Sequence, residues 1–339
     1  MNVVVMRAGS WGATLAGVLA KNGHSVTLVA PHEALRRELI EFRENRRALP
    51  GVRIPDAVHI VATPDDAVDD AEAIVFPGPC DRMREMARDA VAYRSAGVST
   101  WSNRLIITAA KGIAPNTLQR MSEVLGEELG CDANDIVALS GPSFARYVGL
   151  EHPTGVVAAS ANVDRAKAVQ RIFGNAYFRV YRSSDTLGVE LGGALKNVVA
   201  IAAGMCDGIG LGDNSRVALM TRGLAEITRL GVAMGADPQT FAGLSGMGDL
   251  VLTCSGRESR NHHVGEEIGR GRGLDDVLRE MVTVAEGIRT TRSAVTLART
   301  YGVEMPIAEH VYAVLFEGSR PKDAVTSLMV REPKPEQWV

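Results

Sequence analysis

Apolar residues come in short β-branched runs through the first half of the chain and at helical spacing through the second. Val3–Met6, Ser25–Val29, Ala73–Phe76, Leu105–Ala109 and Ile136–Leu139 each have the length and bounds of a buried strand. Between them lie segments that read as helices: Trp11–Lys21, stopped by Asn22-Gly23, then Cys80–Tyr93 and Gln119–Leu129. Beyond Glu151, "TGVVAAS" and "YFRVYRS" predict two more strands. Strands alternating with helices predict a parallel sheet with crossover connections, whose ligands collect beyond the strands' carboxyl ends. The polar and glycine-rich stretches fall there: Gly9-Ser10-Trp11, Pro77-Gly78, Lys111-Gly112 and Ser140-Gly141-Pro142-Ser143.

From about Leu187 the pattern becomes helical throughout. Leu187–Met205, Asn214–Met234, Pro238–Leu244, Arg260–Gly269, Leu274–Met281, Thr290–Tyr301 and Pro306–Phe316 predict helices, broken by "GGALKN", "DGIGLGDN" and "GLSGMGDL". The expected organisation is a dinucleotide-binding α/β (Rossmann-like) domain over residues 1–187, a mostly helical domain over 188–332, and a frayed tail at 333–339.

Composition narrows the class. The chain has 339 residues, room for two cores, with 46% hydrophobic and 23% charged residues and a formal net charge of −3. That charge argues against general nucleic-acid binding, which needs a basic excess. Cys80, Cys131, Cys206 and Cys254 lie far apart without a C-x-x-C pair, so neither a disulfide framework nor a zinc site is expected, and a reducing cytoplasm is the expected compartment. The N-terminus enters a strand at once, without a basic region or cleavage site, and no run of about 18 apolar residues points to a membrane span.

"VVVMRAGSWGATLAGVLAKNGHSVTLV", residues 3–29, has the outline of a nucleotide-binding strand, turn and helix. The fingerprint asks for three glycines: one for the tight bend, one for close approach of the pyrophosphate, one for helix–strand contact. Here Arg7, Gly9 and Gly12 stand at those positions. The helix N-terminus still aims its amides at a phosphate, but Arg7 brings a side chain into a crowded turn and strains it if φ must be positive. An ordinary strand–helix turn reads the same way. The second strand ends in Ala30-Pro31-His32 without the carboxylate that holds an adenosine ribose, so NAD and NADP both stay open.

The segment "GVELGGALKNVVAIAAGMCDGIGLGDNSRVALMTRGLAEITRLG", residues 188–231, is more specific. Lys196 lies among Leu195, Val198, Val199 and Ile201; partial desolvation there suits a lysine to proton transfer, although a lone helical lysine more often snorkels to the surface. "GLSGMGDLVLTC" sets Asp249 after Gly243, Gly246 and Gly248, with Thr253 four residues on. "ESRNHHVG" offers Ser259, Arg260 and Asn261 at a helix start, suited to holding a phosphate.

With these stretches in view, together with "AGSWGATLA", "NRRALPG", "KGI", "SGPSFA", "VAEG" and "GVEMPI", the chain resembles NAD(P)-dependent glycerol-3-phosphate dehydrogenase of the bacterial soluble type over nearly its whole length. The resemblance implies reversible hydride transfer between NAD or NADP and dihydroxyacetone phosphate, giving sn-glycerol 3-phosphate for phospholipid synthesis, in a cytoplasmic homodimer without metal. By motif, Lys196 is implied as general acid/base with Asp249 beside it. Asn197, Thr253, Ser259, Arg260 and Asn261 are implied to hold substrate, and Lys111, Gly141 and Ser143 to line its site, Lys111 also serving catalysis. Cofactor contacts fall to Gly9, Ser10, Trp11, Gly12, Lys111, Ala145, Arg260 and Glu286. Plainer roles stay open: Lys111 capping a strand, Ser143 capping the helix from Phe144, Glu286 as a solvated charge, and His262-His263 as a solvated or substrate-rim pair.

Two departures from the family fall in the cofactor half: Arg7 in place of glycine, and "FPGPC" at 76–80 in place of a valine-proline-serine-glutamine type of strand end. Two other readings follow: a reductase of a related phosphorylated or phosphonylated ketone, and a cofactor-impaired paralogue that binds a sugar phosphate. Intact Lys196, Asp249 and Arg260 favour an enzyme.

Overall fold

The computed structural model describes residues 1–94, 101–256, 258–281, 285–333 and 335–336. Of the sequence expectations, Lys334 and residues 337–339 of the tail and Val284 of "VAEG" lie outside the described residues. The chain forms two compact units, Met1–Ala114 with Gln119–Glu190, and Pro115–Leu118 with Leu191–Val339. This boundary falls three residues after the one read from the sequence, inside a helix.

The first unit runs β1 (Asn2–Val5), α1 (Ser10–Lys21), β2 (Ser25–Val29), α2 (Glu33–Phe42), β3 (Val58–Val61), α3 (Asp65–Asp69), β4 (Ala73–Phe76), α4 (Met83–Ala92), β5 (Leu105–Thr108), α5 (Met121–Leu129), β6 (Val137–Ser140), α6 (Ala145–Gly149), β7 (Thr154–Ala159), α7 (Val163–Phe173) and β8 (Phe178–Ser183). The strands form one sheet in the order β3-β2-β1-β4-β5-β6-β7-β8. Val3 pairs with Val26 on one side and Ala73 on the other, in parallel register. Alternate side chains face opposite ways: Val3 and Val5 join Leu15 and Leu19 in one core, and Val4 and Met6 join Ile74, Phe76 and Met83 in the other. The strand order reverses between β1 and β4, the place where doubly wound sheets bind ligands.

One expectation is corrected. β7 runs antiparallel to β6, with Leu139 opposite Ala158, because the link between them carries just the short α6 and makes no full crossover. Strand β3 and helices α2 and α7 add to the elements read from the sequence.

Helix α8 (Thr186–Gly208) begins in the first unit and continues into the second. Its start is pinned by a buried carboxylate: Glu190 accepts from the Ser122 amide at 2.9 Å, the Ser122 hydroxyl at 2.6 Å and Arg120 at 3.0 Å. α8 is long and apolar enough to cross a membrane, but its whole apolar window is buried within the fold.

After it come α9 (Asp213–Ala233), α10 (Pro238–Phe241), a π-helical turn at Leu244–Gly248, α11 (Asp249–Ser255), α12 (Arg260–Gly269), α13 (Leu274–Glu280), α14 (Glu286–Tyr301), α15 (Pro306–Phe316) and α16 (Pro321–Met329). The helix expected from Pro238 to Leu244 stops at Phe241, and α14 starts four residues earlier than expected, at Glu286. Helices α8 and α12 touch backbone to backbone through two glycines each. A methyl group at Gly204 would lie 2.0 Å from the His262 carbonyl oxygen, and one at Gly265 2.0 Å from that of Ile201. Gly208 and Gly269, one turn on, are as tightly placed. Any larger residue would push α12 away from α8.

Candidate active site

In the first unit the turn after β1 is built as an anion-binding cradle. Gly9 is the N-cap of α1 in extended conformation, among the described residues no side chain caps the helix, and a Cβ on Gly9 would meet nothing within 4 Å. Ser10 and Trp11 open the helix, whose first amides are therefore available to a phosphate. The indole nitrogen of Trp11 is a buried donor without a hydrogen-bond partner among the described residues. Gly12 is obligatory: a Cβ there would stand 1.8 Å from the Arg7 carbonyl oxygen. These features fit a dinucleotide pyrophosphate, the group the turn would hold.

Arg7 does not strain this turn. It is not among the described residues in the left-handed region, and its guanidinium leaves the turn to pair with Glu85 on α4 at 2.6 Å. The expected crowding is thus relieved by an ion pair on the far element. At the end of β2 there is no carboxylate; instead Arg36 of α2 donates to the carbonyls of Ala30 at 3.1 Å and Pro31 at 3.3 Å.

Lys111, Gly141 and Ser143 come together. Lys111 Nζ donates to Gly141 O at 2.7 Å and to Ser143 Oγ at 3.3 Å, while Ser143 Oγ donates to Gly141 O at 2.9 Å. Gly141 has φ of +127°, a conformation that favours glycine, and it turns its carbonyl toward the lysine. Ser143 therefore does not cap α6, whose N-cap Phe144 has no side-chain bond. The carbonyl of Ala145 accepts from Thr14 Oγ1 at 3.1 Å, and the same hydroxyl bonds to Ser10 O at 2.9 Å. Thr14, which sequence reasoning passed over, ties the segment after β6 to the turn after β1. Its position one turn into α1 was the available signal.

In the second unit the pattern of the helical motifs becomes a single cluster. Lys196 and Asp249 are buried, at 5% and 1% exposure, and pair at 2.5 Å; Lys196 Nζ also donates to Thr253 Oγ1 at 2.8 Å. The Thr253 hydroxyl donates to the Asp249 carbonyl at 2.6 Å, so its oxygen faces the ammonium as an acceptor. An unpaired ammonium at that depth would be costly, and the carboxylate removes most of that cost. The neighbouring Asn197 accepts from Asn261 Nδ2 at 2.8 Å, and Asn261 Oδ1 in turn accepts from the Gly287 amide at 2.8 Å. The starts of α12 and α14 are thereby held against α8 beside Lys196, presenting two positive helix ends. Arg260 opens α12 and Glu286 opens α14. Desolvation lowers the pKa of Arg260, and the charge of Glu286 opposes that shift.

Two further residues have structural partners. Ser259 is buried and its hydroxyl oxygen caps α12, accepting from the His262 amide at 3.2 Å; it positions Arg260 and Asn261 and keeps its O–H as a donor. His262 has a fixed partner: its Nε2 lies 2.8 Å from Asp207 Oδ2, and Arg216 holds the same carboxylate at 3.1 Å. His263 is exposed.

Comparison with known proteins finds two family models that match this chain. Residues 2–166 match the family model for the N-terminus of NAD-dependent glycerol-3-phosphate dehydrogenase, and residues 185–326 match that for its C-terminus. A relative from Chlorobium limicola, named glycerol-3-phosphate dehydrogenase [NAD(P)+], is 48% identical over 339 residues, covering 100% of both chains. One of the same name from Prosthecochloris aestuarii is 49% identical over 99% of this chain and 100% of its own. The solved structure of a glycerol-3-phosphate dehydrogenase from Coxiella burnetii superposes with a TM-score of 0.90 at 33% identity, covering 97% of this chain and 98% of that one.

Proposed function

The chain belongs to the NAD-dependent glycerol-3-phosphate dehydrogenase family, and from that premise we propose how its own residues carry the reaction. The chemistry is hydride transfer between NAD(P)H and dihydroxyacetone phosphate, giving sn-glycerol 3-phosphate; the relatives' names carry both dinucleotides. The observation that carries the assignment of residues is the buried Lys196–Asp249–Thr253 set beside the Asn197–Asn261 link and Arg260.

A nicotinamide dinucleotide, when bound, would supply hydride to the ketone carbon. Negative charge then develops on the ketone oxygen, and the Lys196 ammonium stabilises it and gives it a proton, completing the alcohol. Asp249 pairs with the Lys196 ammonium and aims it before the reaction, and Thr253 fixes the direction of its N–H bonds. Arg260, Asn261 and the N-terminal turns of α12 and α14 supply the donors a phosphate dianion needs. In the first unit, Gly141 and Ser143 fix the position of the Lys111 ammonium. Gly9, Ser10, Trp11 and Gly12 would hold the pyrophosphate, with Ala145 fixed beside them by Thr14. Arg36, at a strand end without a carboxylate, is the residue to receive a 2′-phosphate, so NADP(H) is accepted as well as NAD(H). A cytoplasmic homodimer is the assembly carried over from the family.

The test is an assay of the purified chain with NADH and with NADPH, on dihydroxyacetone phosphate and a panel of other phosphorylated ketones. Dihydroxyacetone phosphate should give the highest kcat/KM. Lys196→Met should lower turnover by about 100-fold or more while dinucleotide binding is kept. Near-full turnover in that variant removes the proposed acid, and a better ketone in the panel replaces the substrate.

A further inference from the structure

Arg7 stands where the dinucleotide fingerprint has its first glycine, and the structure gives its side chain a definite partner. The backbone of Arg7 is locked in place: its carbonyl and the Pro77 ring, 3.0 Å from a Cβ built on Gly12, close around that glycine. The side chain then passes Gly78 in the loop after β4, where a Cβ would lie 3.7 Å from Arg7 Cγ and 2.6 Å from both Sδ and Cε of Met86. Its guanidinium ends on α4, 2.6 Å from Glu85 Oε1 and 3.7 Å from Asp89 Oδ2, two residues one turn apart on one face. Arg82 takes the other oxygen of Glu85 at 2.5 Å. Hydrogen bonds from Arg82 first, and from Arg7 after it, hold the Glu85 carboxyl below its ordinary range; burial raises that of Asp89 and the charge of Arg7 opposes the rise. The two departures from the family pattern, Arg7 and the Pro77-Gly78-Pro79 loop, are thus in contact, and the absence of a side chain at position 78 is what lets Met86 and the arginine stem lie there.

We propose that Arg7 is a positioning residue: its ion pair with Glu85 clamps the phosphate-binding turn to α4 across Gly78 and keeps the guanidinium off the cofactor phosphates. The clamp rests on the reading of this turn as a dinucleotide site. It replaces the freedom of a glycine by a fixed tether, so the amides at the start of α1 stay where a pyrophosphate meets them. Because Glu85 and Asp89 answer the guanidinium, the turn gains rigidity without gaining net positive charge.

The experiment measures the Kd of NADH and NADPH by nicotinamide fluorescence on the full chain without substrate, across a range of salt concentrations, with melting curves for each variant. Arg7→Met and Glu85→Ala should each weaken binding about two- to fivefold, the range a partly exposed ion pair can transmit. The double variant should be no weaker than either single one. The dependence of Kd on salt should match wild type in all three, and Arg7→Lys should regain affinity when Glu85 is present but not in Glu85→Ala. A shallower salt dependence in Arg7→Met, with Glu85→Ala neutral or tighter, overturns the clamp and makes Arg7 a direct phosphate ligand. Unchanged affinity in both single variants also overturns it. Wild-type protein that binds neither dinucleotide overturns the functional reading, and the clamp with it.

Discussion

Lys196 sits at the bottom of the second unit's site with a carboxylate at 2.5 Å and a threonine hydroxyl at 2.8 Å. Its neighbours on α8 are apolar, so sequence reasoning expected partial desolvation. The structure shows near-complete burial, which makes the partner as important as the lysine. Asp249 lies 53 residues away in the chain, and its place beside Lys196 was legible through the family motif "GMGDLVLTC", not through any local pattern. Removing the carboxylate leaves a buried ammonium without its counter-charge, a change that costs about 3–5 kcal/mol. Asp249→Asn should therefore lower both the melting temperature and kcat, and Asp249→Glu should recover part of both; calorimetry and initial rates read the two effects. An Asn variant as stable and as active as wild type would show that Thr253 suffices to hold the ammonium. Ser259 and His262 mark the limit of reading residues singly. In "ESRNHHVG" Ser259 reads as a ligand and His262 as a solvated or substrate-rim side chain, and the fold uses the first as a helix cap and the second as a partner of Asp207.

At the scale of elements, α8 and α12 decide the geometry of the site, because one carries Lys196 and Asn197 and the other Arg260 and Asn261. Four glycines let their backbones touch. Gly265→Ala would set a methyl group 2.0 Å from the Ile201 carbonyl oxygen, and forcing the helices apart should cost about 1–3 kcal/mol or more. It should also raise the KM for substrate more than that for cofactor, since α12 holds the proposed phosphate ligands. Gly17→Ala in α1 is the control: the added methyl group would meet Pro55 Cδ at 3.6 Å, an ordinary contact, so stability should not fall below wild type. Equal melting curves for the two variants would remove the close-packing argument. The strands and long helices were readable from periodicity, most within one to three residues of their ends. Helix α2 was not, although Leu35 and Leu39, one turn apart, turn to the core; Leu39 is its one buried residue and the stripe is short. Helix α7 did carry a stripe, Ala166, Val169 and Ile172, with Asn162 as cap; its signal was present beside the two strands that drew the reading there.

For the whole molecule, stability against pH is tied to a carboxyl far in sequence from its partners. Glu226 of α9, 4% exposed, accepts the amides of Ile307 and Ala308 at the start of α15, at 2.9 and 3.4 Å. Burial pushes its pKa up to about 7, the amides acting against that shift. The folded state therefore holds this proton more tightly than the unfolded chain. The stabilisation is full below the unfolded carboxyl's range near 4.5 and is lost as pH rises through about 7. Glu226→Gln removes the titration and keeps one acceptor for the Ile307 amide. Denaturant unfolding between pH 4.5 and 7.5 should show a stability curve flatter than wild type by up to about 3 kcal/mol. Parallel curves would place the titration elsewhere.

By itself the sequence determined the two-part architecture, most elements and the identity of the chemical groups, because strand and helix periods and glycine-spaced motifs are local properties of the chain. Beyond the Lys196–Asp249 neighbourhood that the family resemblance implies, it did not determine which groups meet. That Lys196 finds Thr253 as well as Asp249, that Asn197, Asn261 and Gly287 form one chain of hydrogen bonds, and that Arg7 turns to Glu85 depend on contacts between elements far apart in sequence. Such contacts are fixed by helix crossings and strand order, and no local pattern encodes them. The antiparallel turn of β7 and the capture of Ser259 and His262 by neighbouring groups were decided in the same way, by what the folded backbone brought within hydrogen-bond reach.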